Sequence, residues 1–423
     1  MSKSMNRRKF LGRTGEALVA GGAVAWGASS GKALAKTHPA ETGEDYYSKL
    51  GVVPFINAAG TFTNMGGSIM PPSVQAAMSR AAHHFVNIEE LHRASGEYLA
   101  RRLQCEGALV TAGAASALTL ATAACVTRGN AQAILNIPTD MTGLKNEVIL
   151  QKLHNNGYNH AIRNCGVRMV EVETAEQYAA AFNERTAMTT FLNAEARGQI
   201  SREDWVRVAH QHGVPCLIDA AADVPPISNL WNYTHMGFDL VAFSGGKGMR
   251  GPQCAGLLLG KKDLIEAARK NDFPYGETVG RGMKVGKEEI IGMVAAVDWF
   301  VSQDEQAMIA EFQKRVERIA DHLKGISTLQ TQIFVPPVAN HVPHLLITYD
   351  LKQIKITGKG VQEKLRQGDP RIELNPSTGG GPAMEGLPSG DNTIVVGVWM
   401  LQPDEDMIVA RRLREVLRDA AQG

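Results

Sequence analysis

A glycine-rich turn between two short apolar runs constrains this chain more than any other stretch. The runs, Leu240 to Phe243 and Ala255 to Leu259, have the length of buried strands, and the turn carries one lysine, Lys247, in Ser-Gly-Gly-Lys-Gly. Glycines let a ligand approach the backbone. A lysine ammonium group is normally exposed to water, so a lysine enclosed in such a turn indicates a reactive amine. A buried amine has a lowered pKa and can attack a carbonyl to form a Schiff base. The alternative is an ordinary surface lysine on a hairpin.

The same turn also fits the pattern of a dinucleotide site. Gly246, Gly248 and Gly251 match G-x-G-x-x-G, a fingerprint that must follow a strand and open a helix. Here Pro252 and a second apolar run follow, so no helix start would face a pyrophosphate. The sequence therefore argues against dinucleotide binding at this turn.

Composition narrows the function classes. The chain of 423 residues has room for two domains, and its formal net charge of +1 gives no electrostatic case for nucleic acid as a partner. Its five cysteines show neither C-x-x-C nor metal-ligating spacing, so we expect buried small side chains and no metal site. They are Cys105, Cys125, Cys165, Cys216 and Cys254.

The first 35 residues resemble a twin-arginine signal peptide. Arg7 and Arg8 precede a small-residue apolar stretch at 17–28, and Ala33-Leu-Ala35 offers a cleavage site. The stretch is too short and too rich in glycine to span a membrane, so no stable membrane association is expected. We expect export to the periplasm or medium by the Tat machinery, which carries folded proteins and so favours a bound cofactor. An amphipathic N-terminal helix is the alternative.

Strands and helices alternate along the middle of the chain, which predicts an α/β fold with a mostly parallel sheet. Ligands collect at the carboxyl ends of such strands, and Thr111, His154, Asp219 and Lys247 all lie at or near predicted strand ends. We expect four segments: the signal peptide at 1–35, an arm and linker at 36–85, a large domain at 86–285, and a long connector helix with a smaller α+β domain at 286–423.

The segment that follows the first predicted strand of the large domain has the geometry of an anion-binding site. The strand Gly107 to Thr111 is followed by a turn of small residues, which opens a helix. Free N–H groups at a helix start favour a phosphate, and small side chains let it approach. The residues of this turn are Ala114, Ala115 and Ser116. The alternative is a tightly packed turn that holds no ligand.

These residues together form the set that pyridoxal phosphate requires. Lys247 traps the aldehyde, Asp219 holds the pyridine nitrogen protonated, and the small-residue turn receives the phosphate, with the Ser244 hydroxyl as a further donor. A flat group must also cover the ring. His154 is the candidate, with His160 and Tyr158 as alternatives.

Four motifs carry a resemblance to a known family: Ile218-Asp-Ala-Ala-Ala222 with Val224-Pro-Pro226, Phe243-Ser-Gly-Gly-Lys-Gly248, Gly251-Pro-Gln253 and Gly280-Arg-Gly-Met-Lys-Val-Gly-Lys287. From about Leu50 to the C-terminus the chain resembles the selenocysteine synthase-like branch of fold-type I pyridoxal-phosphate enzymes, and most of all the D-glucosaminate-6-phosphate ammonia-lyase group. The resemblance implies an internal aldimine at Lys247, a pyridinium partner at Asp219, and a homodimer or larger homo-oligomer with shared active sites.

The resemblance predicts a lyase that eliminates ammonia from an amino acid or a 2-amino sugar acid, with the freed Lys247 amine as base. Candidates to hold the substrate carboxylate or the cofactor phosphate are Arg281, Lys284, Lys287 and Arg371. The alternatives are transamination or racemisation at the same site, selenium transfer to seryl-tRNA, and a ligand-binding relative without turnover. The near-neutral charge and the leader oppose selenium transfer, and the retention of Lys247 and Asp219 opposes a relative without turnover.

Overall fold

The computed structural model describes residues 44–193, 199–381 and 390–422, so the predicted signal peptide lies outside the described residues. The chain divides into two units, 1–52 and 53–423. In the first unit, helix α1 (Tyr46–Leu50) begins at Asp45, whose carboxylate accepts the Tyr47 N–H, and ends at Gly51. The sheets and the candidate site lie in the second unit.

Strands in the described part of this unit form three sheets. They are β1 (Ile56–Ala58), β2 (Gly107–Thr111), β3 (Glu147–Gln151), β4 (Arg168–Val172), β5 (Thr186–Leu192), β6 (Cys216–Asp219), β7 (Leu240–Ser244), β8 (Gly256–Gly260), β9 (Gln330–Phe334), β10 (His344–Thr348), β11 (Ile372–Leu374) and β12 (Thr393–Gly397). The helices are α2 (Pro72–Ala82), α3 (Ile88–Arg102), α4 (Gly113–Thr127), α5 (Ala131–Asn136), α6 (His160–Arg163), α7 (Ala175–Ala180), α8 (Arg202–Gln211), α9 (Asn229–Met236), α10 (Lys262–Lys270), α11 (Lys287–Val301), α12 (Glu305–Leu323), α13 (Gly358–Arg366) and α14 (Glu405–Gln422).

The central sheet has seven strands in the order β2-β8-β7-β6-β5-β3-β4. All its pairs are parallel except those of β8, which runs antiparallel to both β2 and β7. Because β8 alone is reversed, β2 runs in the same direction as β7, and the carboxyl ends of the other six strands share one edge. The predicted mostly parallel α/β fold is confirmed.

Both faces of this sheet are covered, as its continuous apolar runs predict. Side chains alternate along β7: Val241 and Phe243 face one hydrophobic core, and Leu240 and Ala242 face the other. Helices α3 and α8 contribute to the first core and α4 and α10 to the second. This packing fixes the register of β7 and so the direction in which its glycine-rich extension leaves the sheet.

The C-terminal part of the chain has its own hydrophobic core. The antiparallel sheet β12-β10-β9 packs there with α12 and α14, while β1 pairs in parallel with β11 through the register Ile56↔Ile372. The predicted single connector from 288 to about 325 is two helices, because Asp304 caps a new start by accepting the Ala307 N–H. The predicted domain boundaries stay a prediction.

Two smaller expectations can be compared with the structure. Cys125, Cys165 and Cys216 are buried as expected, but Cys105 is half-buried and Cys254 is exposed. Within the residues that the structure describes, none of the helices is both long and apolar enough to cross a membrane.

Candidate active site

Four strands place polar side chains at the same edge of the central sheet. Asp219 ends β6 and Ser244 ends β7, while Asn193 follows β5 directly. His154 lies in the short 3₁₀ helix that follows β3. Because these four strands are parallel neighbours, the residues at or after their ends converge, and the glycine-rich turn with Lys247 continues from the same edge.

The glycine-rich turn packs against neighbouring backbone so closely that side chains would not fit. A Cβ at Gly248 would lie 2.0 Å from the Val224 carbonyl oxygen, and a Cβ at Gly246 would lie 2.5 Å from Cα of Gln253. The turn is closed by the Arg250 N–H, which donates to the Lys247 carbonyl at 3.0 Å. The loop that follows Asp219 is therefore in direct contact with the residue after Lys247.

Lys247 lines a cavity of about 120 Å³ between the sheet edge and the C-terminal part of the chain. Asn340 joins this cavity to the loop after β6, because its N–H donates to the Ala222 carbonyl at 2.8 Å. The remaining lining residues are small, aromatic or polar: Ala59, Gly60, Thr61, Phe62, Thr63, Tyr158, His344, Asn375 and Trp399. Lys247 is thus half-buried and lines a partly open cavity of mixed polar and apolar character, which argues against the surface-hairpin alternative.

Lys247 and Asp219 influence each other's ionisation. Burial lowers the pKa of the Lys247 amine, and the charges of Asp219 and Asp223 oppose that shift. Burial likewise raises the pKa of Asp219, opposed by the Ala221 N–H, which donates to it at 3.1 Å, and by the Lys247 charge. A lowered amine pKa suits a nucleophile, and a carboxylate at this place suits a protonated ring nitrogen.

A second buried carboxylate lies beside this pair. Asp223 is 2 % exposed, and its Oδ2 accepts hydrogen bonds from Asn193 Nδ2 at 2.5 Å and from the Tyr233 hydroxyl at 3.1 Å. Burial, more than any other cause, raises the pKa of Asp223 to about 7, and the charge of Asp219 adds to the increase. The site therefore holds two interacting acids near one amine.

The start of α4 has features that suit the predicted anion cradle. Ala112, the N-cap residue, offers no side-chain hydrogen bond to this end of the helix, and Gly113 has the left-handed φ of 83°. Ser116 is 4 % exposed, yet its hydroxyl finds no partner among the described residues. Free N–H groups and an unpartnered buried hydroxyl at a helix start are what a phosphate group would satisfy, so these residues fit pyridoxal phosphate. Ala114 is half-buried and Ala115 exposed at the same helix start.

His154 is held in one orientation. Its Nδ1 accepts the Leu192 N–H at 3.3 Å, so the proton lies on Nε2, which faces Gln199 Oε1 at 3.3 Å. The ring packs edge-on against Phe191 at 4.5 Å, and burial lowers its pKa, so the imidazole is neutral. Tyr158, rather than His154, lines the described cavity around Lys247. The choice of the ring-covering residue stays a prediction.

The four basic candidates lie elsewhere in the described structure. Arg281 and Lys284 are exposed, and Lys287 pairs with Glu288. Arg371 donates to Glu373 Oε1 at 3.0 and 2.5 Å, at the end of β11 opposite to cavity-lining Asn375. None of the four lines the cavity in the described part of the chain, and the ion pair of Arg371 argues against it as a substrate ligand.

The chain is similar to known proteins over most of its length. The family model of SelA, L-seryl-tRNA selenium transferase, matches residues 55–324. The chain belongs to the SelA family. This match includes the strand ends, the glycine-rich turn and both aspartates of the site.

Two individual relatives align with most of this chain. A 5'-C-glycyluridine monooxygenase-decarboxylase from Streptomyces sp. is 32% identical over 88% of this chain and 92% of its own. The D-glucosaminate-6-phosphate ammonia lyase of Salmonella typhimurium is 28% identical over 89% and 98%.

Solved structures extend the comparison to the fold. A structure of D-glucosaminate-6-phosphate ammonia-lyase has a TM-score of 0.75 at 27% identity and covers 89% of this chain and 99% of its own. A structure described as SPT with PLP has a TM-score of 0.54 at 14% identity, covering 87% and 89%, and so shares the fold.

These matches confirm the resemblance, the fold-type I architecture and the cofactor that the sequence predicted for this SelA-family chain. Two site residues escaped the prediction. Asn193 follows β5 directly, so the strand-end argument that selected Asp219 would also have selected it. Asp223 lies between the two halves of the first quoted motif, and the Gly248–Val224 contact shows that its loop turns back to Lys247.

The structure also brings together three residues that could ligate a metal, which the sequence did not predict. His210, Cys216 and Asp239 meet at the opposite edge of the SelA-family sheet. Asp239 Oδ2 already accepts the Cys216 N–H at 2.8 Å and contacts His210 Nε2 at 2.9 Å. The polar groups of this cluster are hydrogen-bonded to one another, and these bonds connect the starts of β6 and β7 to α8.

Proposed function

We propose that this protein is a pyridoxal-phosphate-dependent lyase that eliminates ammonia from an amino acid or a 2-amino sugar acid. One observation carries the proposal: Lys247, Asp219 and the unpartnered hydroxyl of Ser116 are contributed by parallel strands or their extensions at one sheet edge. The 28% identity to D-glucosaminate-6-phosphate ammonia lyase over 98% of that enzyme supports the reaction class.

Different residues of the site would have different roles in this reaction. When bound, the cofactor supplies an aldehyde for the amine and a ring that accepts an electron pair. Lys247 provides the amine and then the base that takes the α-proton, for which burial has lowered its pKa. Asp219 would hold a proton on the ring nitrogen, and Ser116 with the α4 N–H groups would hold the phosphate. The net reaction loses the α-proton and a group on the next carbon, and water releases ammonia.

Borohydride reduction tests the cofactor lysine. The purified full-length protein with pyridoxal phosphate should show an absorbance band that borohydride bleaches, and digestion should place the reduced cofactor on Lys247. Lys262→Ala, which removes an exposed lysine at the start of α10, should behave as wild type, whereas Lys247→Ala should show no reducible band. A reduced cofactor on any other lysine would refute the proposal.

A second candidate function is oxidative decarboxylation of an amino acid. It is favoured by the 32% identity to 5'-C-glycyluridine monooxygenase-decarboxylase over 92% of that enzyme. Incubation with D- and L-amino acids, 2-amino sugar acids and glycyl nucleosides separates the candidates. Ammonia release without oxygen uptake supports the lyase, carbon dioxide release with oxygen uptake supports the second candidate, and pyridoxamine formation would favour the transaminase alternative.

We also propose that the protein is a homodimer or larger homo-oligomer. Phe85 is fully exposed and Val86 is 49 % exposed between α2 and α3, and such neighbouring apolar side chains favour a protein contact. Light scattering on the purified protein should give at least twice the chain mass. A monomer at micromolar concentration would contradict this assembly.

Export by the Tat route is the remaining part of the proposal, and it rests on the leader sequence alone. Replacing both arginines, Arg7→Lys and Arg8→Lys, should retain the protein in the cytoplasm of a Tat-competent host. Equal export of this variant and the parent chain would remove the twin-arginine assignment.

A further inference from the structure

Asp223 is a buried acid to which the proposed reaction assigns no role. It lies four positions after Asp219 in a loop held at both ends: the Asp223 N–H donates to the Ala220 carbonyl at 3.1 Å, and Asn229 Nδ2 donates to the Asp223 carbonyl at 2.8 Å. Val224 carries the carbonyl oxygen against which Gly248 packs. The loop therefore brings Asp223 next to the turn that carries Lys247.

The partners of Asp223 are arranged for a carboxylate. Asn193 Nδ2 can only donate, and the Tyr233 hydroxyl, which itself accepts from Asn193 Nδ2 at 2.6 Å, is left to donate to Asp223. Two donors directed at one oxygen stabilise the ionised form. Asn193 is fixed in turn, because its N–H donates to the Asp219 carbonyl at 3.1 Å.

The charged groups around Asp223 come from three elements. Asp219 at the end of β6 disfavours its ionisation, and Lys247 on the glycine-rich turn favours it. Tyr233 on α9 is neutral, because burial and the charge of Asp223 raise its pKa, while Arg202 acts on Tyr233 in the opposite sense. Among these groups the lysine is the cation whose charge acts on both acids.

We propose that Asp223 is a positioning residue for Lys247: Asn193 and Tyr233 hold its carboxylate as the counter-charge of the lysine ammonium, so that Asp223 sets the protonation of that amine. Asp219 is then left to the ring nitrogen, and each buried acid has one cation to balance. The inference rests on the proposed role of Lys247 as the cofactor lysine, and it extends that role to a residue without assigned function.

The test measures the protonation of the Lys247 amine through its reactivity. The full-length protein is freed of cofactor with hydroxylamine, and acylation of Lys247 by acetic anhydride is followed by mass spectrometry across the pH range. A carboxylate raises the pKa of a nearby amine, so its removal in Asp223→Asn should shift the labelling midpoint to lower pH by about one unit or more. Below the wild-type midpoint, Lys247 should then react about tenfold faster.

Controls separate this role from a structural one. Asp223→Glu keeps the charge and should restore most of the midpoint, and Asp321→Asn, which removes an exposed carboxylate on α12, should leave it unchanged. If Asp223→Asn does not fold, Tyr233→Phe removes one donor to Asp223 and should shift the midpoint in the same direction by less. A folded Asp223→Asn protein with the wild-type midpoint would overturn the proposal.

The same experiment keeps this inference apart from the proposed function. Absence of a borohydride-sensitive band in wild-type protein would refute the cofactor role of Lys247. The change in labelling midpoint between wild type and Asp223→Asn, both free of cofactor, reports instead on the effect of Asp223 on Lys247. A shifted midpoint with no reducible band would therefore leave the charge pair standing and remove only its catalytic meaning.

Discussion

The contact between Gly248 and Val224 allows a sharp test of how the lysine turn is held. A methyl group added at Gly248 would place its carbon 2.0 Å from the Val224 carbonyl oxygen and 2.8 Å from the carbonyl carbon. Ordinary contacts begin at 3.4 Å, so Gly248→Ala must separate the two loops by more than an ångström. Both atoms belong to the backbone, so no side-chain rotation can relieve the clash.

The magnitude follows from this displacement. Overpacking in a well-packed interior costs about 1–3 kcal/mol, and both segments are anchored by strands, so we expect the upper part of that range. A misplacement of about 1 Å at a reacting group reduces turnover about a hundredfold. Gly248→Ala should therefore lose about 2–3 kcal/mol in urea unfolding, bind pyridoxal phosphate weakly, and show a reducible band of low yield.

Gly282→Ala is the matched control. It adds the same methyl group at a glycine with no atom within 4 Å of the new carbon and no positive φ. This variant should keep wild-type stability within about 0.5 kcal/mol and a full cofactor band. Should Gly248→Ala match Gly282→Ala in both measurements, the described packing of the lysine turn against the loop after β6 would be wrong.

Two further predictions concern other residues. Asp272 is fully buried, and burial raises its pKa to about 7. Its ionisation therefore costs stability as the pH rises from about 4 to 7, and Asp272→Asn should be more stable than wild type at pH 8 by up to about 4 kcal/mol but not at pH 4. Urea unfolding at both pH values measures this, and an equal difference at both would contradict it. Because Arg371 pairs with Glu373, Arg371→Met should lose about 1 kcal/mol of stability and keep kcat/KM within about threefold; a tenfold loss of kcat/KM in a protein of unchanged stability would restore it as a substrate ligand.

The central sheet could be predicted because its strands obey a local rule. The strand Gly107–Thr111 has the predicted bounds, since it is a short apolar run between turn signals. The connector was wrongly predicted as one helix because apolar residues keep helical spacing on both sides of the break near Ser302. The cap at Asp304 is the sequence signal that marks the start of the second helix. Helix α9 was missed because it is short and lies within a loop-like region after Pro226.

Residues placed by the sheet topology could be predicted for the site, whereas residues brought together by tertiary packing could not. The residues that fit the cofactor, Asp219, Lys247 and Ser116, lie at the ends or extensions of strands in one sheet, so topology alone brings them together. The cavity in front of Lys247 is instead closed by Thr61, Asn340 and other residues from segments far apart in the chain, which meet only through the pairing of β1 with β11 and the packing of the C-terminal core. Because those segments line the cavity in front of Lys247, we expect substrate choice to depend on them. It follows that substitutions at the strand ends should abolish every reaction of the site, whereas substitutions at the closing segments should change which amino compound reacts while the borohydride-sensitive band persists.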